Sequence, residues 1–132
     1  MTQPVWSELN LAPAMCRISG GVVGSRVAFS LYVKYEDPDN PGTFLPFDFT
    51  GYTLLGYVKE NVSQPNPDAT LGLTAPGTRG AGYIDVLLTA SETTALGKGK
   101  FYGSVKMWPT GDTDAALTIA ELLLPLDKAA TP

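Results

Sequence analysis

Few side chains in this sequence could do chemistry, and their spacing narrows what that chemistry would be. There is no histidine among the 132 residues. That removes Ser-His-Asp and Cys-His nucleophile systems and most transition-metal sites. The single cysteine, Cys16, lies in "MCRIS", which has the look of a short strand, and it reads as a small buried apolar residue. "GKGKFY" (97–102) lacks both the spacing and the following helix of a phosphate loop. Carboxylates remain. Glu36, Asp37, Asp39 and Asp48 flank one loop, and Asp112 and Asp114 sit in another. Clustered loop oxygens could bind calcium, but the spacing matches no EF-hand, and Asp and Asn in turns commonly cap backbone groups. Nothing brings two carboxylates face to face across a cleft, as a glycosidase requires. The expectation is a protein that is not an enzyme, with no catalytic residue, no cofactor and no metal.

Aromatic side chains are the other resource. Trp6, Tyr32, Tyr35, Tyr57, Tyr83, Tyr102 and Trp108 could form a sugar-stacking platform, although most fall in alternating segments where packing explains them. Trp108 and Pro109 stand at a strand end beside a loop. They suit an interface anchor, because Trp supplies much contact area at low entropy cost; a lid on the core is the other reading of Trp108. Trp6, Leu9 and Leu11 lie between Pro4 and Pro13, where prolines at both ends argue against a long helix. An extended arm over residues 1–14 is expected, either fraying or docked on its own domain or a neighbour. Trp6 favours docking, since an exposed Trp on a loose tail lowers solubility.

The elements that would position these residues are mostly strands. "SRVAFSLYVKY" alternates, with Val27, Phe29, Leu31, Val33 and Tyr35 on one face. A shorter strand at "MCRIS" precedes it, linked by "GGVVG". "EDPDNPG" is loop. Thr50-Gly51 marks a turn into a second main strand, where Tyr52, Leu54 and Val58 oppose Thr53, Leu55, Tyr57 and Lys59. "ATLGLT" is a short strand, "APGTRGAG" a turn, and "YIDVLLT" a strand with Ile84, Val86 and Leu88 inward. Thr89 followed by Glu92 spells a capping box for one helical turn, ended by Gly97 or Gly99. "KFYGSVKMW" alternates Phe101, Gly103, Val105 and Met107 against Tyr102, Ser104, Lys106 and Trp108. "ALTIAELLLPL" returns after a hairpin loop, and Pro125 suits a strand end or an edge. The pattern predicts an all-β chain: an antiparallel β-sandwich, immunoglobulin-like, of about seven strands with one short helical turn. A small barrel is the second choice. The expected division is an arm at 1–14, the β-domain at 15–126 and a tail at 127–132.

Composition agrees with one small domain. Apolar residues make up 44% and charged residues 17%, too apolar for disorder and low in charge for a free monomer. Part of that weakly charged surface is a candidate to face a partner, and an ordinary small β-domain is the plainer alternative. Net charge is −4 and no Lys/Arg run forms a basic patch, so no nucleic-acid partner is expected. No stretch reaches the roughly 18 apolar residues of a membrane span. "MTQPVWSELNLAPAM" has neither a basic start nor a continuous apolar run, so no signal peptide is expected. The lone cysteine fits synthesis in a reducing cytoplasm.

Three segments together resemble a known family. They are "FDFTGYTLLGYVK" (47–59), "GYIDVLLTASETTALGKGKFYGSVKM" (82–107) and "ALTIAELLLPL" (116–126). Small β-sandwich structural proteins of tailed bacteriophages are similar in order. An Asp-aliphatic-Thr-Gly-aromatic turn enters a strand ending in Val-Lys. A Gly-x-Ile strand then runs into Leu-Thr and a Thr/Ala/Glu-rich turn ending in Ala-Leu, followed by a Gly-x-Tyr strand and a final hairpin. The N-terminal domain of the upper baseplate protein of lactococcal phages is of this kind. The matching residues include Asp48, Thr50, Gly51, Tyr52, Gly82, Ile84, Thr89, Glu92, Gly99 and Tyr102. Phe49 stands where the family has Leu, Phe101 is inserted before Tyr102, and Glu121 is followed by Leu122 where the family often has Gly. The N-terminal arm has no counterpart.

These are turn, cap and core positions, and a fold does not give a function by itself. The resemblance implies a virion structural protein, made in the bacterial host cytoplasm and localised in the virion. Its partners would be other virion structural proteins, in a homo-oligomer or symmetric assembly, with no nucleic acid and no membrane. A tail, baseplate or fibre adaptor is the leading expectation and a capsid decoration (cement) protein the alternative. A carbohydrate-binding module for host glycans is a second alternative, which loss of glycan binding on Trp108→Ala would support. Trp6, Leu9, Leu11, Trp108 and Pro109 are the expected partner-binding residues.

Overall fold

A computed structural model describes residues 14–128. Among them are ten strands and one α-helix. The strands are β1 (Ala14–Arg17), β2 (Gly21–Val22), β3 (Val27–Tyr32), β4 (Lys34–Glu36), β5 (Phe44–Pro46), β6 (Tyr52–Lys59), β7 (Ala69–Thr74), β8 (Tyr83–Leu88), β9 (Gly99–Pro109) and β10 (Leu117–Asp127). Helix α1 (Ala90–Leu96) joins β8 to β9, and a 3-10 turn at Thr113–Ala115 precedes β10.

Eight strands form one sheet in the order β1-β10-β9-β6-β7-β8-β3, with β2 also on β10; β4 and β5 pair separately. The sheet curls at β7. Residues Ala69, Thr70 and Leu71 pair with β6, while Gly72, Leu73 and Thr74 pair with β8. One strand therefore serves two limbs, a large one (β1, β2, β10, β9, β6) and a small one (β8, β3). Both limbs bury the same core. Val58, Phe101, Val105, Met107, Leu122, Leu124 and Leu126 come from the large limb, and Val27, Ile84, Val86 and Leu88 from the small one. On β8 and β9 the inward residues are those expected from alternation, because a period of two sends every second side chain to one face.

Four expectations need correction. The stretch from Val27 to Tyr35 is not one strand. Its inward face is the expected one, but the chain changes partner at Val33, whose N–H donates to Gly82 O at 2.8 Å and whose carbonyl accepts from Phe47 N–H at 2.9 Å. Residues beyond it pair with β5 rather than β8. The link "GGVVG" holds β2, so the strand count exceeds seven. The sheet is not wholly antiparallel, since β1 and β2 both run parallel to β10. Finally, Pro125 is not at a strand end: it lies inside β10, paired with Lys100 of β9, and only the edge half of the expectation stands. The carbonyls of Leu123 and Asp127 accept from Ile18 and Val23 on the opposite side, so strand alternation points the missing Pro125 N–H that way too. It falls in the gap where β1 has ended and β2 has not begun, a local edge that needs no donor.

The helix is the clearest local success. Thr89 is its N-cap: the Thr89 hydroxyl accepts from Glu92 N–H at 3.2 Å, and Glu92 Oε1 accepts from Thr89 N–H at 2.9 Å. Gly97 ends it with φ +77°, and its N–H donates to Thr93 O. At seven residues it makes about two turns, not one.

Candidate functional site

The acidic loop between Glu36 and Asp48 is occupied with itself. Asp37 is buried, and its two carboxylate oxygens accept from Asp39 N–H (2.9 Å) and Asn40 Nδ2 (3.0 Å). Glu36 accepts from Gly42 N–H. Asp48 accepts from Thr50 N–H at 3.0 Å, and that bond holds its carboxyl below the ordinary value. Among the described residues no group of three or more His, Cys, Asp or Glu side chains is placed to hold a metal.

The aromatic residues do not gather into one platform. Tyr32 and Tyr83 stack at 4.7 Å on the small limb, with Arg79 over Tyr83. Tyr35 and Tyr52 pack around Phe47 near the β4–β5 pair. Tyr57, Tyr102 and Trp108 lie elsewhere, on the outward face of the large limb. Trp6, Leu9 and Leu11 lie outside the described residues.

That outward face is the most developed surface feature. Register builds it from four strands. Tyr57 of β6 stands opposite Ser104 of β9, and Lys59 opposite Tyr102. Glu121 and Leu123 of β10 stand opposite Ser104 and Tyr102 in turn. Met15 and Arg17 of β1 stand beside Glu121 and Leu123. A groove of about 360 Å³ runs between Met15, Tyr57, Lys59, Val62, Tyr102 and Leu123. Met15 is 77% exposed and Val62 69% exposed, high values for aliphatic side chains on opposite sides of one groove.

Val62 is presented there by its loop. Asn61, Ser63 and Gln64 satisfy one another: Ser63 N–H and Oγ both donate to Asn61 Oδ1, and Gln64 Oε1 accepts from Asn61 N–H. Asp68 accepts from Glu60 N–H at 2.8 Å and closes the loop base. The polar groups are consumed internally and the aliphatic one faces out.

Charge on this face runs against the protein as a whole. Arg17, Lys59, Lys100 and Lys106 lie on it with Glu121 and, at the end of β10, Asp127, while Glu60 borders it beside Val62 and Tyr102, on a chain of net charge −4. Lys59 Nζ sits 5.0 Å and Lys106 Nζ 5.6 Å from the Tyr57 ring centre, so the ring holds two cations over the groove wall. Trp108 belongs to the same face, half-buried opposite Thr53, roughly 20 Å along β9 from Tyr102. Pro109 follows opposite Tyr52, and the Thr53 and Thr110 hydroxyls lie 3.0 Å apart across that end.

The sequence-based list thus holds one end of this face, Trp108 and Pro109, and omits Met15, Tyr57, Val62, Tyr102 and Leu123. The signal for two of them, Tyr57 and Tyr102, was present. Tyr102 shares an alternation face with Trp108, Tyr57 and Lys59 share one on β6, and pairing those strands joins them. Val62 carries no such signal, because its exposure depends on the fold of its own loop.

No protein-family model matches the sequence, and no curated protein matches it. Among solved structures, the chain is similar to the ASH/PapD-like domain of human CEP192 (PapD-like domain 7). The identity is 12% and the TM-score 0.42, over 98% of this chain and 92% of that one. At that score the likeness carries no argument.

Proposed function

We propose that this protein is a non-enzymatic structural component of a bacteriophage virion, a tail, baseplate or fibre adaptor that works by binding neighbouring subunits. The observation that carries the binding role is the outward face of the large limb: exposed aliphatic and aromatic side chains around a groove, edged by lysines, on an otherwise acidic chain. Interfaces favour this mixture, with Tyr, Trp and Met at the centre and polar groups at the rim. The phage assignment is supported by the ordered motifs at 47–59, 82–107 and 116–126. In keeping with that resemblance, we read the curled sheet as an immunoglobulin-like β-sandwich whose two layers share β7.

Mass spectrometry of purified virions tests the reading. The protein should appear in intact particles, and its absence would end the proposal. Copy number then distinguishes positions: on the order of tens for a tail or baseplate adaptor, hundreds for a capsid decoration protein.

A further inference from the structure

We propose that the groove around Tyr102 receives the N-terminal segment, residues 1–13, of a second copy of this chain. The proposal rests on the reading of the protein as an assembly component and names one contact that would build the assembly.

The first argument is chemical fit. The groove offers aliphatic and aromatic walls (Met15, Val62, Tyr102, Leu123), with Lys59 and Glu121 as its charged lining. The segment offers Val5, Trp6, Leu9 and Leu11, and Glu8 is its only charged side chain. A mostly apolar peptide matches a mostly apolar groove, in which Lys59 is the one cation available to the Glu8 carboxylate.

The second argument is where the segment joins. It enters at Ala14, the first residue of β1. That strand runs parallel to β10, with Ala14 level with Ala120 and Arg17 level with Leu123. The groove lies towards the Leu123 end. β1 therefore starts at the Ala120 end and runs along the groove, with Met15 as its first wall residue. To fill its own groove the segment would have to double back along β1, whereas entering a neighbour's groove needs no such reversal. Thirteen residues span up to roughly 40 Å, enough to cross to an adjacent subunit and run along its outer face from the Trp108 end to the Tyr102 end. Each contact can be modest, because a symmetric assembly repeats it.

The test uses the full chain in a Cys16→Ser background. One protein carries Leu9→Cys and a second carries Val62→Cys. They are mixed with oxidised glutathione and the products weighed by mass spectrometry. The expected result is a disulfide-linked species containing one of each, in excess of either like pair. A chain carrying both cysteines that closes only within itself, while the mixture gives no mixed product, would overturn the exchange between copies. No cross-link in either experiment would overturn the groove as the docking site, as would equal cross-linking of Leu9→Cys to Ala28→Cys on the small limb. As a second measurement, Tyr102→Glu should raise the concentration needed for self-association about tenfold by sedimentation, with an unchanged circular dichroism spectrum. A wild-type chain that stays monomeric at all concentrations would also sink the idea. If the protein is found in virions and the cross-link fails, only this inference falls.

Discussion

The Thr93 hydroxyl accepts the Gly24 N–H at 3.0 Å across a sequence separation of 69 residues. It also donates towards Ser25 O (2.9 Å) and Ala90 O (3.0 Å), and Thr93 is fully buried. One side chain thus ties the helix that carries the chain from the small limb to the large one to the turn that carries it the other way. Thr93→Val keeps the shape and leaves the Gly24 N–H without its acceptor. The expected loss is about 1–3 kcal/mol of stability, read by urea denaturation. A loss under about 0.5 kcal/mol would mean that water replaces the hydroxyl there.

The Thr89–Glu92 capping box invites a graded series. Thr89→Ala removes the acceptor for Glu92 N–H and should cost about 1 kcal/mol. Thr89→Ser should cost much less, because the oxygen is retained. Equal effects of the two would show that the methyl group, not the cap, matters at this position.

Asp85 predicts a dependence on acid. It accepts from Thr78 N–H at 2.8 Å and from the Ser30 hydroxyl at 3.2 Å. The Thr78 backbone bond is the main reason its carboxyl lies below the ordinary value of 3.8. A carboxyl lowered on folding contributes stability that is complete above its unfolded value and is lost as pH falls through its folded one. The stability difference between wild type and Asp85→Asn should therefore hold near neutrality and change in favour of the variant as pH drops below about 4. Parallel pH profiles from thermal melts would contradict this assignment.

Gly82 and Gly111 separate two costs of adding a side chain. Both have positive φ, +84° and +92°. A Cβ at Gly111 meets open space, whereas one at Gly82 would lie 2.8 Å from Pro46 Cβ, 2.8 Å from Tyr32 Cε1 and 3.0 Å from Val33 O. Gly111→Ala should cost about 1 kcal/mol from the backbone alone. Gly82→Ala should cost clearly more, roughly 2–4 kcal/mol, since it also disturbs the point where the chain passes from β8's partner to β5's.

How far the sequence could be read follows from where each residue's partner lies. Thr89 and Glu92 satisfy each other and Gly97 N–H bonds to Thr93 O, all within nine positions, so the helix and both its ends were legible. Ile84, Val86 and Leu88 show their inward face through alternation, which is also local. Val33 looked like the middle of a strand because its side chain points inward as the pattern demands. What breaks the strand is backbone bonding to Gly82 and Phe47, and nothing local encodes it. Pro125 was legible only in part, for a related reason. A proline forbids a bond only on the side to which its nitrogen points, and the occupant of that side is set by β1 and β2, more than 100 residues earlier in the chain. The outward face had the same difficulty: its residues lie on four strands, and sequence alone did not say which strands are neighbours.

The parallel pairing of β1 with β10 has a bearing on how the chain is made. Ala14–Arg17 leave the ribosome long before Leu117–Asp127, the strand they pair with. At roughly 5–20 residues per second that interval is on the order of 5–20 s. For that time the first strand of the sheet is a nascent edge waiting on the last. Chains growing side by side on one message would expose such edges together, so encounters between copies could begin before any single copy is complete.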